Sequence, residues 1–376
     1  MNILVFSKIP IAPAYGGNRQ RIRTLLNELR HDHAVTFALI PSRQTRDIDL
    51  NAHDDFFGAG KFFAIKRSIF AELIFNTGIL KRKLYGSIFG KMLSNDVDYL
   101  FDRSLKGDCK RLIETVKPDV VIIEYIHFSK ILEWVSNAVY KVIDTHDSFS
   151  HEFTSEAERK GLERADMVLA IQDREASMFK DLLGAASRTQ VTTVSHIVAE
   201  HATIDSNRCE GASFVGSNFE ANNQSLASLI ANVMPMVLAE RPNFKLHVIG
   251  DVGTAIPDYP FVVKHGRVKV VAHALARAPV LANYIVKGTG IKIKMLDAMG
   301  MGLACVSTAL GADGLSDAFA DGVCVADDDR QYADELIALF DNAARRAALG
   351  RAGFEAVARW NTLQRSSLQS AIDPAS

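Results

Sequence analysis

Gly288-Thr-Gly-Ile-Lys-Ile-Lys-Met-Leu-Asp-Ala-Met-Gly-Met-Gly-Leu-Ala-Cys-Val-Ser-Thr308 packs a glycine turn, a helix and a strand into one run. Gly288 and Gly290 open a turn into a helical segment, 291–301, that carries Lys292, Lys294 and Asp297. Gly300 and Gly302 stop that helix, and the apolar residues 304–307 read as a strand. Backbone amides at a glycine-opened helix start, with a lysine in the first turn, make a cradle for a diphosphate. A carboxylate one turn further on can take two ribose hydroxyls. An ordinary β-α turn has the same outline, so this run taken alone leaves both readings open.

The chain around it is 376 residues long, which argues for two domains of roughly 150–200 residues each. A hydrophobic fraction of 48% with 23% charged residues describes a soluble globular protein with ample core. Net charge is −1, so no global field favours nucleic acid. Cys109, Cys209, Cys305 and Cys324 lie far apart without C-x-x-C spacing, which supports neither a disulfide framework nor a zinc site. The first residues form a strand-length apolar run without the basic start and longer apolar core of a signal peptide. No segment approaches 18 uninterrupted apolar residues. The expected compartment is the cytoplasm.

Short apolar runs alternate with helix-length amphipathic segments along the chain. Strands are expected at 3–6, 35–40, 120–123, 142–144, 167–170 and 191–194, with helices at 19–30, 109–116, 152–164 and 173–183 between them. The cycle then restarts, with strands at 213–215, 246–249, 280–284 and 304–307 and helices at 224–240, 270–277 and 291–301. Such alternation argues for parallel sheets covered on both faces. The polar, aperiodic stretch 198–211 reads as an interdomain linker, and two final helices are expected at about 345–360 and 363–372.

In register over its whole length, the opening stretch resembles the donor-binding segment of GT-B glycosyltransferases, in the group similar to retaining glycosyltransferase family 4. There the pattern runs G-T-G-I-K-x-K-x-L-E-A-M-A-x-G-x-P-V-V. The resemblance implies two Rossmann-like doubly wound domains of parallel α/β sheet facing a cleft. They would span 1–197 on the acceptor side and 212–355 on the nucleotide-sugar side, with 198–211 between and a helix over 356–376 crossing back. It also implies a nucleotide-diphosphate donor of UDP or GDP type, no cofactor and no metal. Gly288, Thr289, Gly290, Ile291, Lys292 and Lys294 would hold the diphosphate, and Asp297 the ribose.

Other elements extend the resemblance. The loop after the first strand, Ser7-Lys-Ile-Pro-Ile-Ala-Pro-Ala-Tyr-Gly-Gly-Asn-Arg-Gln-Arg-Ile-Arg23, resembles a P-x-x-G-G loop near donor phosphates and acceptor. It offers Gly16, Gly17, Arg19 and Arg21. His146 and Asp147, past a strand end, match an H-D element whose histidine lies beside the transferred sugar. Glu124 and His127, at another strand exit, form a second candidate on the acceptor side. Gly216 and Ser217 match the F-V-G-S element that opens the donor domain, while Gly250 and Val268 sit in loops that flank the base.

Three departures bear on activity. Many relatives carry arginine after that glycine and lysine a few residues later, whereas this chain has Ser217, Asn222 and Asn223. The usual glutamate is Asp297, and the acidic residue expected eight positions earlier is Thr289. Asp327-Asp-Asp329 looks like a metal motif, but it precedes a helix at 330–342, where acids cap and complement the dipole.

The segment 61–92 holds seven basic residues (Lys61, Lys66, Arg67, Lys81, Arg82, Lys83, Lys91) against one acid, Glu72, interleaved with Phe62, Phe63, Phe70 and Phe75. That composition suits an anionic membrane surface, or else an insertion packed on its own domain. Lipid binding there would put the enzyme at the inner face of the plasma membrane. The leading expectation is a retaining glycosyltransferase moving a sugar to a hydroxyl of a glycan or lipid-linked acceptor, in bacterial surface polysaccharide or glycoconjugate synthesis. A sugar-nucleotide epimerase or hydrolase on the same fold, and a catalytically weak binding subunit, are the alternatives.

Overall fold

The computed structural model describes residues 1–373 apart from 15, 41, 43–47, 71, 74, 78–92, 102–103, 269, 289–290, 316 and 327. The chain divides into two compact units, Met1–His196 with Gln364–Ser376, and Ile197–Leu363. No helix among the described residues is long and apolar enough to cross a membrane.

The first unit is built on seven strands: β1 Asn2–Ser7, β2 Ala34–Leu39, β3 Phe62–Ala64, β4 Val120–Glu124, β5 Tyr140–Asp144, β6 Met167–Ala170 and β7 Gln190–Thr193. They are all parallel, in the order β3-β2-β1-β4-β5-β6-β7. Ile3, Leu4, Val5 and Phe6 are fully buried, as a strand covered on both faces requires. Helix Gly17–Asp32 follows β1 and buries Ile22, Leu25, Leu26 and Leu29. The three-residue edge strand β3 was not expected, because so short a run carries no period.

The second unit has six parallel strands: β8 Gly211–Val215, β9 Lys245–Ile249, β10 Val262–Gly266, β11 Val280–Asn283, β12 Ala304–Thr308 and β13 Cys324–Ala326. Their order is β10-β9-β8-β11-β12-β13. The two edge strands, β10 and β13, escaped the sequence reading. β10 carries Lys264 and His265 and is only half buried, so it lacks the apolar run of its neighbours.

The helix expected over 224–240 is interrupted. It runs as Glu220–Ser228, a π-turn Leu229–Val233, and Met234–Glu240. Pro235 has no N–H to give and its ring would crowd the carbonyl one turn back, which the wider turn relieves. The two final helices expected are one helix, Ala343–Ile372. Asn361, in the expected gap, turns its amide outward to the backbone of Val198, with both bonds at 2.9 Å. The stretch expected as a linker is pinned as well. Val198 is buried, and the Arg346 guanidinium donates to Ser206 O at 3.0 Å and to Leu339 O at 2.6 Å.

Gly350, inside the last helix, lies against the turn after the donor-motif helix. A Cβ there would stand 2.0 Å from the Gly302 carbonyl oxygen. Alanine ordinarily stabilises a helix interior, yet Gly350→Ala should destabilise the protein by about 1–3 kcal/mol through overpacking. Denaturant unfolding measures this, and a stabilised variant would contradict the packing described.

Candidate donor and acceptor sites

In each sheet the strand order reverses once, at β1/β4 and at β8/β11. Helices leave neighbouring strands toward opposite faces there, opening a crevice beyond the carboxyl ends.

In the second unit, the loop Gly216-Ser217-Asn218 leaves β8 at this point. Asp251 fixes it by accepting from Asn218 N–H (2.8 Å) and from Arg267 (2.6 Å). Gly250 has φ 100°, and a Cβ on it would lie 2.1 Å from the Gly216 carbonyl oxygen, so only glycine fits. The donor-motif helix is Ile293–Gly300, shorter than expected, with Lys292 as its N-cap. It buries Met295, Leu296, Ala298 and Met299 and leaves Lys292, Lys294 and Asp297 half-buried. Asn283, at the end of β11 and not singled out in the sequence, donates to Ser307 Oγ and Gly311 O, both at 3.0 Å, and so fixes the ends of β11 and β12.

Lys294 Nζ donates to Val215 O (3.1 Å) and Asn222 Oδ1 (3.2 Å), with the Phe214 ring 5.1 Å away. Burial, helped by neighbouring Lys292, pulls its ammonium down to about 8. Among the described residues no carboxylate pairs with it. Asn222, standing near where relatives carry a cation, is the group that holds this one. Gly288 has φ 131°, which glycine alone adopts readily, and Ile291 is buried. Thr289 and Gly290 lie outside the described residues. Val268 lines a cavity of about 410 Å³ with His265, Val270, His273, Ala274 and Arg277. His265 Nε2 lies 3.0 Å from His247 Nδ1, and burial with that neighbour pushes His247 down to about 4.

In the first unit, Gly16 turns the chain at φ 84° into the helix that begins at Gly17. Of the two arginines expected on the phosphate or acceptor loop, Arg21 is corrected here. Arg21 is 1% exposed, and its guanidinium bonds Asp144 Oδ1 at 2.6 Å and Val194 O at 2.8 Å. Arg19 donates to Pro13 O within its own loop.

His146 Nε2 meets Glu124 Oε2 at 2.6 Å and Asp144 Oδ2 at 3.4 Å. One proton is held between the imidazole and Glu124. Burial raises the Glu124 carboxyl above its ordinary value, as does Asp144, against the pull of His146 and Arg21. His146 (φ 61°) and Tyr125 (φ 68°) are both left-handed, and their rings stack 4.3 Å apart at 9°. Two non-glycine residues in that region store strain at adjacent strand exits. Burial raises the Tyr125 hydroxyl, and the Asn18 side chain, from the glycine loop, lies near enough to ease its ionisation. His146, 9% exposed, therefore has a structural duty that its strand-end position does not reveal.

Glu124 and His127, expected to act together, belong to different networks. His127 joins Lys8 and Glu152 instead. Asp147 is half-buried, accepts from Ser148 N–H, and is raised by burial. Near it the sequence reading missed Glu175, which burial and Asp147 push up to about 7.

Glu124, Asp144 and His146 bring their ligand atoms within 4.8 Å of one another, a grouping that could hold a metal ion. An ion there would have to displace the shared proton and sit beside the fixed charge of Arg21. The trio fits a charge-paired network better. Arg21→Met should cost about 3–5 kcal/mol, because it leaves Asp144 buried and unpaired. Adding Asp144→Leu should recover most of that loss, and denaturation midpoints that fall further in the double variant would contradict the pairing.

Comparison with known proteins follows the same division. Residues 211–342 match the family described as Glycosyl transferases group 1. An uncharacterized 44.6 kDa protein in the cps region of Klebsiella pneumoniae is 28% identical over 141 residues, 33% of this chain and 35% of that protein. The match thus spans about a third of that relative. Among solved structures, TarM is similar with a TM-score of 0.70 at 12% identity, covering 98% of both chains. Anabaena HepE in complex with UDP and glucose has a TM-score of 0.62 at 11% identity, covering 98% of this chain and 100% of that one. Likeness at such identity concerns the fold, two parallel α/β sheets of seven and six strands. The second unit thus matches the group 1 glycosyltransferase family by sequence, and the whole length shares the two-sheet GT-B fold of these solved structures.

Proposed function

We propose that this chain moves a sugar from a nucleoside diphosphate sugar to a hydroxyl of a glycan or lipid-linked acceptor, with retention, in surface polysaccharide synthesis. The observation that carries the reading is Lys294, a half-buried lysine whose ammonium is lowered by burial and held by two neutral oxygens at the β8/β11 reversal. A diphosphate reaching that point meets a cation already desolvated and aimed, the arrangement that stabilises a departing anion. UDP is the favoured carrier, since HepE has been solved with UDP-glucose. The cps-region relative supports the polysaccharide context.

Asp297, one turn after Lys294, is assigned to the ribose, and the Gly266–Val268 loop to the base. Gly216, Ser217, Gly250, Gly288, Ile291 and Lys292 shape the remainder of the donor site. Charge on the leaving diphosphate is met by lysine and helix amides, so no divalent metal is required. Asp327 lies outside the described residues. Asp328 caps its helix through Gln331 N–H (2.8 Å), and Asp329 accepts from the Tyr284 hydroxyl at 2.5 Å. His146 is assigned to the transferred sugar and Asp147 to the acceptor hydroxyl. Domains at 1–197 and 212–355, joined through 198–211 and with 356–376 crossing back as the end of the last helix, are proposed.

Lys294→Ala should weaken UDP binding by about 1.5–3 kcal/mol. The pH dependence has a definite sign. Burial lowers the ammonium from 10.5 to about 8, so the free protein carries the charge below pH 8 and loses it above. Affinity for UDP should therefore fall as pH rises past 8, by up to about tenfold per unit, and Lys294→Ala should flatten that slope. Calorimetry across pH 7–10 reads both, and an unchanged slope in the variant removes Lys294 from the site. His146→Asn, which tolerates the left-handed backbone, should lower kcat about a hundredfold in a transfer assay while the protein stays folded. Normal turnover would return His146 to a structural role alone.

A membrane surface is proposed for the acceptor. Ile69, Phe70 and Leu73 are 92%, 73% and 61% exposed beside the exposed Lys66. Arg67 is withdrawn from that surface, its guanidinium 3.8 Å from the Phe75 ring. The rest of the basic segment, 78–92, lies outside the described residues. Sedimentation with anionic liposomes should capture the protein at low salt and release it at high salt. No capture at low salt would point to a water-soluble acceptor.

A further inference from the structure

A second network leaves the strand ends of the first unit, and the proposed transfer does not use it. Lys8 follows β1, and its Nζ meets His127 Nδ1 at 3.0 Å. His127 Nε2 lies 3.2 Å from both carboxylate oxygens of Glu152, and the Tyr99 hydroxyl donates to the same carboxylate. The direction of these bonds is fixed by inventory. An ammonium only donates, so Nδ1 accepts and Nε2–H donates to Glu152. His127 is then a neutral ring. Burial, helped by Lys8, also pulls it below its ordinary value. Burial opposes ionisation of Glu152, but the bond from His127 prevails and holds it at about 2.

A neutral imidazole solvates an ammonium without cancelling its charge. Other lysines here meet carboxylates directly: Lys264 pairs with Asp258 (2.7 Å), Lys287 with Glu220 (3.3 Å) and Lys130 with Asp98 (3.4 Å). Among the described residues none does so for Lys8. Its anion, Glu152, stands one ring further back, and the face of Tyr125 lies 4.8 Å from Nζ. Lys8 is partly buried, with two N–H groups left after the bond to His127. It stands where ligands of parallel sheets bind, because Lys8 and His127 follow the two strands, β1 and β4, between which the order reverses.

We propose that Lys8 is an anion-binding residue of the acceptor site and that the acceptor carries a phosphate ester. Glu152 and His127 act on it as positioning residues, one fixing the tautomer and the other the ammonium. An ammonium with two open donors suits the tetrahedral oxygens of a phosphate, which needs no planar fork. The inference rests on the glycosyl-transfer reading, since it names the chemical class of that acceptor.

The test uses the full-length chain saturated with UDP, so that donor-side phosphate contacts are filled. Phosphorus NMR line widths then follow the titration of glycerol 3-phosphate, and ligand-detected proton NMR that of glycerol. The wild type should bind glycerol 3-phosphate and not glycerol. Lys8→Gln should weaken the phosphate ester by about tenfold or more, while Lys8→Arg, which keeps the charge, should retain binding within about threefold. UDP affinity should be the same in all three proteins, which also shows that each is folded. Unchanged glycerol 3-phosphate affinity in Lys8→Gln overturns the proposal, as does equal binding of glycerol by the wild type. A parallel loss of UDP affinity overturns it too, by moving Lys8 to the donor phosphates. Failure of the wild type to bind UDP strikes the transfer reading itself and is read separately.

Discussion

Both sheets are constrained by the hand of their crossovers. A right-handed connection lets a parallel sheet grow in one direction only, so a sheet covered on both faces must reverse its order once. That reversal lies between β1 and β4 in the first unit and between β8 and β11 in the second. At these two places the carboxyl ends of neighbouring strands are left uncovered. The polar groups that matter gather there: Lys8, Glu124, Tyr125 and His127 in one sheet, Gly216, Asn222, Asn283 and Lys294 in the other. The apolar strands supply the rigidity that holds them.

Burial sets the chemistry at both crevices. Lys8 and Lys294 are each lowered to about 8, with burial the largest cause. Each is held by neutral acceptors, a ring nitrogen in one case and two oxygens in the other. A lysine kept this way stays charged near neutral pH yet retains most of its attraction for an incoming anion. The Arg21–Asp144–His146–Glu124 network solves the opposite problem. Its two fully buried carboxylates, Asp144 and Glu124, are met by the Arg21 guanidinium and the His146 imidazole within the network itself.

Much of this was legible in the sequence. Continuous apolar runs marked the central strands, and the glycines and apolar residues of 288–302 marked the turn into helix Ile293–Gly300 and its stop, because both follow from local rules. Of the four edge strands only β7 was legible, since β3 and β13 are three residues long and β10 is half polar. Arg21 was misplaced because the resemblance of the glycine loop put it near phosphate or acceptor, and nothing local marks its buried partner. Its partner Asp144 lies 123 residues away. Lys8 and Asn18 lie in the quoted glycine loop, but at positions that its P-x-x-G-G pattern does not specify. Glu124 and His146 were both singled out, but their pairing depends on β4 lying beside β5, a fact of topology rather than of spacing.

The central claim is that a nucleoside diphosphate sits at the β8/β11 reversal and draws Lys294 away from Asn222. A crystal structure of the chain with UDP tests it most directly. The account predicts the diphosphate against the start of helix Ile293–Gly300, with Lys294 Nζ within hydrogen-bond distance of a phosphate oxygen and Asp297 on the ribose. UDP bound elsewhere, or Lys294 still held by Val215 and Asn222 with the nucleotide in place, would contradict it.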